Sequence, residues 1–116
     1  MVAENANTPE GAYRRFMLAN LTGNEQAIRP FVLDHKDADV LWEGAYPKDV
    51  AALLAQQYRE MEITRLRSPG EDENAERVLL QSSASPIPLA VVNVGGTWKV
   101  DASPIIEFRK AARKTR

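Results

Sequence analysis

The run Ile87–Ser103, IPLAVVNVGGTWKVDAS, decides how the rest of the chain is read. Two β-rich segments, 87–94 and 97–103, flank Gly95-Gly96. A glycine pair reaches the positive φ that a two-residue hairpin turn requires. Such a turn fixes the register: Val94 opposes Thr97, Asn93 opposes Trp98, and so on outward. Directly opposed residues share a sheet face. One face therefore carries Leu89, Val91, Asn93, Trp98, Val100 and Ala102, an apolar set with one polar member, and is expected to meet the core. The other carries Ala90, Val92, Val94, Thr97, Lys99 and Asp101. Its valines and alanine are too apolar for a fully wet surface, so it is expected to be covered, by a second copy of the chain in a two-fold contact or by the C-terminal helix.

Working outward, residues 76–84 (ERVLLQSSA) read as the preceding strand. Ile63, Arg65 and Arg67 suggest an edge strand that stops at Ser68-Pro69-Gly70, and Glu71-Asp72-Glu73-Asn74 a solvated loop. Pro104 opens a C-terminal helix, PIIEFRKAARKTR. Upstream, Pro47 opens a helix whose residues Val50, Leu53, Leu54, Gln57, Tyr58 and Met61 recur at helical spacing. Thr8-Pro9-Glu10 is a helix start, with a hydroxyl cap, proline at the first position and an acid in the first turn. Ala12, Tyr13, Phe16, Met17 and Leu21 give that helix its apolar face, and Gly23 is placed to end it. Asn24 caps a second helix that Pro30 keeps short. Asp39-Val40-Leu41-Trp42 reads equally as a short strand or a helical turn.

Composition sets outer bounds. The chain has 116 residues, 44% hydrophobic and 27% charged, with a net charge of −1. That is an ordinary globular balance with no global drive toward nucleic acid or an anionic membrane. The absence of cysteine removes disulfides, thiolate metal sites and cysteine nucleophiles and leaves the compartment open. No apolar run is long enough to span a bilayer, and the opening MVAENANTPEG lacks the basic and apolar regions of a signal peptide. The expectation is a soluble chain.

The order helix, short helix, possible strand, long helix, strand meander, together with Thr8-Pro9-Glu10-Gly11-Ala12-Tyr13-Arg14-Arg15-Phe16 and Val94-Gly95-Gly96-Thr97-Trp98-Lys99-Val100, resembles the NTF2-like superfamily, the cystatin-like cone that includes SnoaL-like and ketosteroid-isomerase-like proteins. The likeness covers roughly residues 8–103, and the C-terminal helix is an addition to it. The fold expected is α+β: N-terminal helices on a curved, mostly antiparallel four-stranded sheet, with a C-terminal helix. Residues 1–7 are expected to form a disordered tail and 8–116 a single domain. The resemblance implies a pocket between the concave face and the first helix, and a convex face that dimerises. Its members include enzymes and non-catalytic modules, so the fold does not choose between them.

The stretch Asp34-His35-Lys36-Asp37-Ala38-Asp39 holds the only histidine of the chain. It fails the calcium-loop pattern, with Lys36 and Ala38 where acids are needed, and it lacks the ligands of a zinc site. No metal and no cofactor are expected. Proton transfer beside a carbonyl needs a carboxylate or imidazole base and an oxyanion donor. Asp34 or His35 with Tyr13 would be the candidates. Small-ligand sites are mostly apolar with a few convergent polar groups. Tyr13, Trp42, Gln57, Tyr58, Asn93 and Trp98 are the candidates to line one. The basic run Arg109-Lys110-Ala111-Ala112-Arg113-Lys114-Thr115-Arg116 suits a helix C-terminus and has no interleaved aromatic for base stacking, so no nucleic-acid or membrane partner is expected. Phosphate-loop, dinucleotide and serine-hydrolase signatures are absent. The function expected is a non-catalytic module that binds an apolar small molecule or mediates assembly, and dimerises through Ala90, Val92 and Val94. A lyase or isomerase using Tyr13 with Asp34 or His35 is the alternative.

Overall fold

The computed structural model describes residues 8–43, 46–66 and 76–114. The expected N-terminal tail, the turn at 68–70, the acidic loop at 71–74 and the last two residues of the basic run lie outside these. Helix α1 spans Pro9–Asn20, α2 Glu25–Ile28, α3 Lys48–Glu60 and α4 Ser103–Lys114. Strands β1 (Ile63–Leu66), β2 (Arg77–Ser82), β3 (Ser85–Val94) and β4 (Thr97–Asp101) form one antiparallel meander in the order β1-β2-β3-β4. The molecule is therefore α+β, helices on a four-stranded sheet.

The glycine hairpin has the register its turn requires. Val94 pairs with Thr97, Asn93 with Trp98 and Val91 with Val100, and Gly95 and Gly96 have φ of 61° and 90°. Leu89, Val91, Val100 and Ala102 are buried together with Leu80 of β2. The β2–β3 connection differs from the sequence reading. Instead of a strand running to Ala84 it turns at Ser83–Ala84, and β3 starts at Ser85, two residues early. The register shifts between Leu80 and Ser82. Pro86 and Pro88 have no N–H to offer the ladder. The Ser82 and Ser85 hydroxyls instead accept from the N–H groups of Ala84 (3.3 Å) and Ile87 (3.4 Å).

Helix α1 begins as its sequence dictates. Thr8 Oγ1 accepts from the Gly11 N–H at 3.0 Å, and Pro9 occupies the first turn, where its missing N–H costs nothing. Ala12, Tyr13, Phe16 and Met17 point into the core face of the sheet. The helix stops at Asn20 rather than at Gly23; Gly23, at φ 63°, forms the turn that leads into the Asn24 cap of α2. On the β1 side, Arg65 faces α1 and binds the Glu10 carboxylate through both Nε and Nη2, the latter at 3.0 Å.

Helix α3 forms where its spacing predicts, but none of its residues is buried. Leu54 and Tyr58 are half-covered, while Leu53 is 59% and Val50 40% exposed. The helix is held chiefly at its C-terminal end. The Arg14 guanidinium donates to the carbonyls of Tyr58 (2.5 Å), Arg59 (2.8 Å) and Met61 (3.2 Å), satisfying acceptors that no further turn would reach. The ambiguous Asp39–Trp42 stretch resolves as part of a 3-10 turn, Ala38–Trp42. A shorter one at Arg29–Phe31 follows α2, as Pro30 requires.

Between these turns Val32 and Leu33 run extended beside β4. Val32 forms a parallel bridge to Val100, and the Leu33 N–H donates to the Val100 carbonyl at 2.9 Å. Helix α4 packs on the second 3-10 turn and sends Ile106 into the core. It thus lies on the core side of the sheet and not over the face of Ala90, Val92 and Val94. No described helix is long and apolar enough to cross a membrane.

The Arg65 hydrogen bonds hold the Glu10 carboxyl below its usual range, against the opposing effect of burial. A depressed carboxylate contributes its stability above the unfolded value and loses it as pH falls through the folded one. Lowering the pH from about 6 to about 3 should therefore reduce the urea midpoint more for the native chain than for Glu10→Gln. Equal slopes for the two would show that the pair contributes nothing.

Candidate functional site

An open cleft of about 750 Å³ lies beyond β4, built entirely from the contiguous run between Arg29 and Trp42. Val32, Leu33, Ala38 and Trp42 supply apolar wall. Arg29, Asp34, His35, Lys36 and Asp39 supply polar groups. The run folds back on itself because its centre is pinned to β4 through Val32 and Leu33 while both ends are wound into 3-10 turns.

The two ends are fixed by charge. Arg29 donates from Nε (2.9 Å) and Nη2 (2.5 Å) to Glu25 Oε2, one helical turn back. Its guanidinium lies 5.0 Å from the centroid of Trp42, a cation–π contact across the cleft mouth. On the far side Lys110 of α4 bridges Asp37 at 2.7 Å. That hydrogen bond holds the Asp37 carboxyl below its usual range and raises the Lys110 ammonium above its own. Arg109 donates to the carbonyls of Val40 and Leu41, each at 3.3 Å. The first two cations of the basic C-terminal run are thus structural ties to the second 3-10 turn. At the base of the loop, His35 Nδ1 accepts from the Asp37 N–H at 3.0 Å. Among the described residues no group of three or more His, Asp or Glu is placed to hold a metal ion.

The candidates from sequence are dispersed. Asp34, His35 and Trp42 line the cleft. Tyr13 does not. Its side chain is 0% exposed between α1 and the sheet, and its hydroxyl donates to Ser82 Oγ at 3.1 Å. Burial pushes its phenol up, with the Ser82 bond acting weakly the other way. The space where the resemblance places a pocket is occupied at this point by Tyr13, Phe16, Leu80, Val91 and Val100. Tyr58 is half-buried against the same core, and burial raises its phenol too. Gln57 is exposed on α3. Asn93 is spent on the hairpin, where its Oδ1 accepts from the Gly96 N–H at 2.8 Å. Trp98 packs on the edge of the core.

Arg29, Val32 and Leu33 were not singled out by sequence as site residues, and Lys36, Ala38 and Asp39 entered only through the 34–39 stretch, weighed as a metal loop. The signal that could have found the first three was the Pro30 break just before the 34–39 stretch, with Trp42 closing the connector. Sites are disproportionately carried on such loops.

No family model, no curated protein and no solved structure matches the chain.

The tyrosine geometry has a direct test. Tyr13→Phe removes one hydroxyl and leaves Ser82 with its Ala84 partner, so it should cost about 1 kcal/mol in denaturant unfolding. Tyr13→Ala empties a fully buried site and should cost about 3–5 kcal/mol. Near-equal costs would mean that the ring is not packed as described.

Proposed function

We propose that the chain is a non-catalytic small-molecule-binding module of the NTF2-like type, with its ligand site in the cleft between Arg29 and Trp42. The observation that carries this reading is the convergence on one concavity of apolar wall and polar groups, the two components of a small-ligand site, with a larger polar share than most such sites have. Val32, Leu33, Ala38 and Trp42 would take an apolar body. Asp34, His35, Lys36 and Asp39 would orient a polar substituent. The lyase or isomerase alternative has less support. It needs a phenol and a base facing one reacting centre, whereas the Tyr13 hydroxyl is directed at Ser82 and Tyr13 is outside the cleft that holds Asp34 and His35.

The same reading includes a homodimer through Ala90, Val92 and Val94. Its support is the position of α4, which packs on the second 3-10 turn and leaves that sheet face to another cover. Along that face exposure rises outward: Ala90 is already buried within the chain, Val92 is half-buried and Val94 is 47% exposed, so the contact would centre on Val92 and Val94.

Two measurements test these statements. A set of small aromatic acids and amines titrated into isotopically labelled protein should shift amide resonances within residues 32–42, and Trp42→Ala should abolish those shifts while Trp98→Phe leaves them. Shifts confined to other surfaces, or none, would remove the cleft from consideration. Sedimentation equilibrium should give twice the chain mass of 12.9 kDa, falling to the monomer in Val94→Glu. A native chain that remains monomeric at high concentration would overturn the dimer.

A further inference from the structure

We propose that His35 is a pH-operated latch on the wall of the cleft: its neutral imidazole holds the Asp34–Asp39 turn closed, and protonation releases it. The argument starts from a donor that cannot change its role. The Asp37 backbone N–H only donates, and it points at His35 Nδ1 from 3.0 Å. Nδ1 must therefore present a lone pair, which puts the proton of the neutral ring on Nε2. An imidazolium carries hydrogen on both nitrogens. Nδ1–H would then confront the Asp37 N–H, donor against donor, and either the ring or the peptide must turn away.

The turn is built so that this step has somewhere to go. It is closed by the Ala38 N–H on the His35 carbonyl (3.1 Å) and the Val40 N–H on the Asp37 carbonyl (3.3 Å). Its outer side is tied to α4 through Asp37 and Lys110. The charged groups around the turn come from three directions. Asp34, Lys36, Asp37 and Asp39 lie in its own segment. Arg29, with Glu25 beside it, comes from the α2 end. Lys110, with Glu107 at 3.9 Å, and Arg109 come from α4. Because Asp37 is held below its usual range and Lys110 above its own, that bridge keeps both charges between about pH 5 and 8, the window in which imidazole ordinarily acquires its charge. The α4 tie stays fixed while the His35–Asp37 bond is made or broken. His35 and Lys36 line the cleft, so the movement alters its wall. The latch concerns that wall and no ligand, so it stands or falls separately from the binding reading.

With one histidine in the chain, the test is free of overlap. The ring Cε1–H and the backbone amides of the full chain are followed by NMR from about pH 8 to about pH 5. The Asp37 and Ala38 amides should titrate with the midpoint of the His35 ring. Below that midpoint the Asp37 amide, corrected for intrinsic exchange, should exchange about tenfold faster, as the loss of one hydrogen bond implies. His35→Asn offers an amide oxygen at the place of Nδ1 with nothing to titrate, and should hold the Asp37 resonance constant. A ring that titrates while the Asp37 amide stays still overturns the latch. So does a ring that does not titrate in this window, or the same amide step in His35→Asn. If that variant fails to fold, the native titration decides alone.

Discussion

The carbonyl of Val100 accepts the Leu33 N–H, and that bond ties the segment after α2 to the edge of the sheet on which α1 already packs. Val100 is fully buried, pairs with Val91 on one side and bridges Val32 on the other. An exposed β4 edge would leave unpaired backbone groups available to another chain. The extended pair Val32–Leu33 covers part of it, in parallel rather than antiparallel sense. This junction orients everything on either side. Before it, the first 3-10 turn carries Arg29 toward Trp42; after it, the chain turns back through His35 and Asp37 to meet α4. The cleft is the space left when a single segment is fixed at its middle and wound at both ends.

Two kinds of cohesion hold the molecule, and they are separated in space. The interior between α1 and the sheet is apolar and closed, with Tyr13, Phe16, Leu80, Val91 and Val100 all fully buried. Its one side chain–side chain hydrogen bond described here, Tyr13 to Ser82, satisfies a hydroxyl that would otherwise be costly to bury. The periphery is held by cations reaching backbone or carboxylate oxygens. Arg14 clamps α3, Arg65 ties β1 to α1, and Arg109 and Lys110 tie α4 to the second 3-10 turn. Ties of this kind are salt-screened and individually modest. Of the elements they hold, α3 has no buried residue, and the cleft segment buries Val32, Ala38, Val40 and Leu41 while Asp34, Lys36 and Asp39 face solvent.

The parts legible in the sequence were those set by local rules. Gly95-Gly96 determines the hairpin register because few other residue pairs reach its φ values, and that register assigns the buried face residue by residue. Thr8-Pro9 determines where α1 starts for equally local reasons. The misreadings share a cause. Asn93 and Gln57 stand out as polar members of apolar sets, but periodicity does not say what a side chain at the end of an element touches. Asn93 completes the turn it adjoins, and Gln57 faces water because α3 is only partly packed. Ala38–Trp42 is too short for its period to discriminate. The β2–β3 turn at Ser83–Ala84 carries no glycine or asparagine to announce it. The docking of α4 depends on Asp37 and Val40, some seventy positions away, and no local pattern encodes such a pairing.

The composition of the cleft follows from the same separation. A residue in the closed core is chosen by volume and burial, and Tyr13 illustrates the consequence: however suitable its hydroxyl is for chemistry, its environment commits it to Ser82. A residue on the outer side of the 29–42 segment has no such commitment, because the segment's contribution to the core is made from its inner side, by Val32, Val40 and Leu41. Apolar Trp42 and charged Arg29 can therefore share one mouth, and the only imidazole of the chain can sit where its ring nitrogen governs a single backbone amide. The cleft thus lies outside the sheet, on the outer side of a segment whose inner side, through Val32, Val40 and Leu41, belongs to the core.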